Sequence, residues 1–118
     1  MSRELSNELK ALLGEDGFVA LAQSFGGTRL YVPTNIEADH EIAQAIGADA
    51  AKLLSRHYSP DTIRVPLARN ERARHYRARG LSNAQIARKL GMAETGVDKL
   101  FARMADAPAK GSAQLSLF

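Results

Sequence analysis

Residues 82–104 read SNAQIARKLGMAETGVDKLFARM, and this stretch decides how the second half of the chain folds. Ser82 is a natural helix N-cap, and Gln85 three positions on completes a capping box. Ile86, Ala87 and Leu90 then fall on one helical face. Gly91 suits a tight turn, and Met92 covers it. Val97, Leu100 and Phe101 share a face of a second helix. Two helices that cross at close range need a small residue at the crossing, a turn residue tolerant of positive φ, and a compact apolar residue beyond it. Ala87, Gly91 and Val97 meet those needs at spacings of four and six. The pattern predicts a helix-turn-helix.

The segment before it separates this reading from an ordinary helical hairpin. Residues 67–80, LARNERARHYRARG, carry Arg69, Arg72, Arg74, Arg77 and Arg79 on a helix that ends at Gly80. Charge is unevenly divided along the 118 residues. Residues 1–63 hold five Lys/Arg against nine Asp/Glu, whereas residues 64–118 hold eleven against four. A basic half beside a helix-turn-helix points to a nucleic-acid partner. The second helix of such a unit enters the major groove with its N-terminal residues toward the base edges. Ala93, Glu94, Thr95, Asp98 and Lys99, with Arg103 further along, are therefore the candidate readers. Arg69, Arg72, Arg74, Arg77, Arg79, Arg88 and Lys89 are the candidate phosphate contacts, which supply affinity without sequence information. Glu94 and Asp98 are acids on that face. They either accept a hydrogen bond from cytosine N4 or weaken binding.

The acidic half contains a repeat. Residues 9–33 (LKALLGEDGFVALAQSFGGTRLYVP) align without a gap with residues 42–66 (IAQAIGADAAKLLSRHYSPDTIRVP), at an offset of 33. Gly14 meets Gly47, Asp16 meets Asp49, Leu21 meets Leu54, Val32 meets Val65 and Pro33 meets Pro66. Landmark residues that agree with the apolar rhythm indicate a duplication. Each copy reads as helix, glycine break, helix, turn, short strand, proline. Leu5, Leu9, Leu12 and Leu13 form one helical stripe, and Phe18, Leu21, Ala22 and Phe25 a second. Asp16 can cap the second helix. Residues 28–32 and 62–65 alternate apolar and polar side chains and predict two strands. A two-stranded ribbon is marginal alone, so it needs helices beneath it or a second subunit. We expect a homodimer with this half as its association module.

Other chemistry finds no support in the sequence. Gly26-Gly27-Thr28 lacks the further glycine and the Lys-Ser/Thr of a phosphate loop. His40, His57 and His75 have no metal-site spacing, and there are no cysteines. No nucleophile–base arrangement stands out. No enzyme activity, cofactor or metal is expected. The sequence shows neither a membrane span nor a signal peptide, and the absence of cysteine suits the cytoplasm. The expected fold is mainly α with a short two-stranded β-ribbon. A dimerisation module covers residues 1–66, a helix-turn-helix domain 67–106, and a tail 107–118.

The motifs together resemble a known group. FGGTRLYVP, DHEIAQAIG, a second strand closing in proline, and RNERARHYRARGLSNAQIARKLGMAETGVDKLF look like the Mor/C family of phage transcription activators, over about residues 9–104. The resemblance implies an intertwined dimer that binds a paired promoter site and recruits RNA polymerase by direct contact. It also places Arg29, Tyr31 and Arg64 on a ribbon facing DNA, and residues 93–103 on the recognition helix. In the second repeat Ser59-Pro60 stands where the first has Gly26-Gly27, a departure from the pattern.

The chain ends in APAKGSAQLSLF, a small-residue spacer followed by Gln114, Leu115, Ser116, Leu117 and Phe118. That pentapeptide resembles the motif by which bacterial proteins dock on the replication sliding clamp, and implies the clamp as a partner. Seven spacer residues span roughly 15 Å if flexible. Folding of the tail onto its own domain or dimer mate, and a neutral, disordered end, both remain open at this point. Two functions follow: a sequence-specific activator tied to the clamp, or a clamp-binding replication modulator that holds DNA without specificity.

Overall fold

The structure, a computed structural model, describes residues 2–104. It is 65% helical, with six helices and one two-stranded antiparallel sheet, as the sequence pattern predicts. The order is α1 (Ser2–Phe25), β1 (Arg29–Val32), α2 (Glu41–Ile46), α3 (Ala48–Tyr58), β2 (Asp61–Arg64), α4 (Arg69–Ala78), α5 (Asn83–Leu90) and α6 (Glu94–Ala102). The chain divides into two compact units after Ala68. Ala68 itself has φ +53, the one positive value at a non-glycine residue among those described. No helix among the described residues is long and apolar enough to cross a membrane.

The first unit carries the repeat into three dimensions. α1 is two helices joined at Gly14, which has φ +77 and ψ 166. Gly47 joins α2 to α3 with φ +91 and ψ 158. Both lie in a region open essentially to glycine alone, so the same elbow is made twice. Gly47 is also the N-cap of α3, and Asp49 sits inside the first turn. There its charge meets the positive end of the helix without capping it. His40 caps α2, its Nδ1 accepting from the Ile42 amide at 3.1 Å.

Burial repeats as well. Leu9 and Ile42, Phe18 and Ala51, Leu21 and Leu54, Leu30 and Ile63, and Val32 and Val65 all lie in one apolar cluster. Leu13 and Ile46, and Phe25 and Tyr58, pack at its margin. β1 and β2 pair antiparallel, Arg29 opposite Arg64, Leu30 opposite Ile63, Tyr31 opposite Thr62 and Val32 opposite Asp61. Leu30 and Ile63 are repeat-equivalent positions, so this register is symmetric about that pair. It is the register of a local two-fold axis. The ribbon's cover also comes from within the chain, since α3 packs against both strands.

The second unit is a three-helix arrangement in which α4, α5 and α6 contact one another. Ala73, Tyr76, Ile86, Ala87, Leu90, Val97 and Leu100 form its core, with Leu81, Met92, Phe101 and Met104 at the edge. Both halves of the Ser82–Gln85 capping box are made. Gly91 closes α5 in the left-handed conformation, φ +67 and ψ 38.

Candidate nucleic-acid interface

The capping box starts α5 and left-handed Gly91 turns the chain into α6, so the second unit presents α6 on a fixed support. Ala93 is the N-cap of α6, and Arg103 its C-cap. Ala93, Glu94, Thr95, Asp98, Lys99 and Arg103 are all exposed. Ala87 and Val97 are buried at the contact between α5 and α6, the places that close crossing requires. Beside α5, Leu81, Gln85, Arg88 and Lys89 line a depression of about 340 Å³ with two cationic walls.

The structure divides the expected phosphate contacts. Arg69, Arg79, Arg88 and Lys89 are exposed, whereas Arg72 and Arg74 are half-buried. Arg72 is tied down: its Nη2 donates to the Lys89 carbonyl at 3.0 Å and its Nε to the Tyr76 hydroxyl at 3.4 Å. Lys89 Nζ lies 5.6 Å from the centre of the Tyr76 ring.

Arg77 does not belong to the set. It is 4% exposed, donates from Nη1 to the Leu81 carbonyl at 3.0 Å, and stacks its guanidinium 4.7 Å from the centre of the Phe101 ring. Burial pulls its pKa below the usual arginine value, and the nearby charge of Asp98 opposes that shift. The reason lies in helical periodicity. Ala73 and Tyr76 set the buried face of α4, and position 77 follows 73 by one turn. Arg77 therefore braces α4 against α6 and the turn before α5.

Asp98, among the expected readers, is exposed but engaged by a neighbouring side chain. Asn83 donates its side-chain amide to Asp98 Oδ1, which ties α6 to the first residue of α5. Asn83 Oδ1 is buried and has no partner among the described residues. Charge and motif spacing do not single out Asn83 and Tyr76. Tyr76 is the sole large apolar side chain in α4 and was the available signal; Asn83 gave none.

On the first unit, Arg29, Tyr31 and Arg64 lie on the ribbon's outer face, all exposed. The Val65 amide donates to the Thr28 carbonyl at 2.9 Å. Alternation along the ladder then makes Arg29–Arg64 a non-hydrogen-bonded pair, the kind whose Cα atoms approach to about 4.5 Å. Two like charges placed this way are unfavourable without an anion. Neither arginine has a partner among the described residues.

Comparison with known proteins returns nothing. No protein family matches the chain, and no curated protein or solved structure shows significant similarity to it. The likeness to the Mor/C activators rests on the motifs quoted above. Gln114, Leu115, Ser116, Leu117 and Phe118 lie outside the described residues.

Proposed function

We propose that this protein is a sequence-specific DNA-binding transcription activator of phage or prophage type. It acts in the cytoplasm as a homodimer, recruits RNA polymerase, and carries a C-terminal peptide that docks on the replication sliding clamp. The observation that carries the reading is the exposed face of α6 on a helix-turn-helix support, with exposed cations at Arg69, Arg79, Arg88 and Lys89. Ala93, Glu94, Thr95, Lys99 and Arg103 are the base readers, with Asp98 engaged by Asn83. Each chain has one helix-turn-helix, and such units read paired half-sites as dimers. The family likeness supports polymerase recruitment, and the terminal motif supports the clamp.

The test is binding to promoter-derived and random duplexes across a salt series. A preference of about 10³ or more supports a specific regulator. Equal affinities with a steep salt dependence support non-specific binding and refute specificity. For the tail, Leu117→Ala with Phe118→Ala is expected to abolish capture by the clamp and leave DNA binding unchanged. Undiminished capture refutes that part.

A further inference from the structure

The two repeats differ in charge on one helical face. In the first copy that face is Val19, Ala22, Gln23 and Gly26; at the offset of 33 its counterpart is Lys52, Ser55, Arg56 and Ser59. Val19 is 0% and Ala22 1% exposed. Lys52 and Arg56 are exposed, and the four second-copy residues line a cleft of about 300 Å³. Its opposite wall is Thr34, Asn35 and Ile36, from the segment that follows β1. The Ser55 hydroxyl holds that wall in place: it is buried, and lies 2.9 Å from the Pro33 carbonyl and 2.6 Å from the Thr34 carbonyl. Because the first copy builds the same helix with valine and alanine, the fold does not require charge on this face.

The lining is chemically specific. Lys52 and Arg56 stand one turn apart on one face of α3 and both line the cleft. No ion pair or hydrogen bond engages either side chain among the described residues. The Asn35 amide and the Thr34 and Ser59 hydroxyls are likewise unengaged there, and half-buried Ile36 provides an apolar surface. Arginine offers a planar fork and lysine a point charge, a pairing suited to a phosphate group. The volume lies at the lower end for small-ligand sites.

We propose that this cleft is a binding site for a phosphate-bearing anion, gripped by Lys52 and Arg56 and oriented by Asn35, Thr34 and Ser59. The site belongs to the first unit and stands independently of the function assigned to the helix-turn-helix. Its phosphate comes either from a small phosphorylated molecule or from a nucleic-acid backbone.

The test is a titration of the isotopically labelled full chain, followed by amide NMR. The probes are inorganic phosphate, adenosine 5′-monophosphate and a random-sequence DNA duplex, at matched ionic strength. Saturable shifts at residues 34–36 and 52–59 are expected, weakened at least tenfold in Lys52→Gln with Arg56→Gln. Both substitutions are at exposed positions and leave the core intact. A response to the monophosphate assigns the site to a small molecule. A response to the duplex alone, lost in the double variant, assigns it to backbone phosphate. Shifts that sodium chloride reproduces, or that persist in the double variant, overturn the proposal.

Discussion

Replacing Arg77 with methionine tests the account of the second unit most directly. Methionine retains most of the side-chain stem and removes the cation and the donor. The lost hydrogen bond to the Leu81 carbonyl has a charged donor and is of the class that contributes about 1.5–3 kcal/mol. The guanidinium over Phe101 adds about 1–2 kcal/mol in a desolvated setting. Against these stands the cost of keeping a guanidinium 4% exposed, which methionine relieves. The balance is a destabilisation of about 2 kcal/mol, roughly a 30-fold rise in the opening constant. Amide hydrogen exchange at Val97 and Leu100 reads that opening in the full chain. Arg79→Met is the control, because Arg79 is an exposed arginine in the turn that follows α4. In a cycle with Phe101→Leu, Arg77→Met should show coupling of about 1 kcal/mol. If Arg77→Met exchanges no faster than the control and loses the same DNA affinity, Arg77 is a phosphate contact and the bracing role is wrong.

Gly91→Ala should cost about 1 kcal/mol from the left-handed backbone alone, since an added Cβ there meets nothing within 4 Å; Gly91→Asn should cost less, and thermal unfolding compares them. Arg29→Gln should stabilise the first unit by about 0.2–1 kcal/mol in denaturant unfolding by relieving the like-charge pair, while lowering the slope of DNA affinity against salt by about one. Tyr58 should titrate near 12 rather than 10, because burial and then the hydrogen bond and charge of Glu8 hold its proton. That bond, 2.8 Å from the Tyr58 hydroxyl to Glu8 Oε1, therefore contributes fully below pH 10 and is lost as pH rises through about 12; Glu8→Gln should lower the titration midpoint measured by tyrosine NMR.

Much of the fold is legible in the sequence because glycines and apolar spacing mark it. Gly14, Gly47 and Gly91 each occupy a positive φ. The alternation of residues 28–32 and 62–65 correctly assigns Leu30, Val32, Ile63 and Val65 to the buried face. Arg77 shows where such reading fails. Charge suggests an outward side chain, yet the register of Ala73 and Tyr76 turns position 77 inward, and only the packed structure provides Phe101 and the Leu81 carbonyl. Asp98 is similar, because its engagement depends on the distance between α5 and α6. The cleft beside α3 is not legible in the sequence, where Lys52 and Arg56 are ordinary surface charges; it needs the segment after β1 strapped to Ser55.

The symmetric register about Leu30 and Ile63 has a consequence for assembly. Two equivalent helix–elbow–helix–strand segments meet through the same residues, as two identical subunits do at an isologous interface. Here a connection of residues 33–40 joins them covalently. A tether of that length raises the effective concentration of one half around the other to about the millimolar range. Pairing of β1 with β2 within one chain is therefore a unimolecular event, independent of dilution. A second copy of the chain is not needed for the β1–β2 pairing itself.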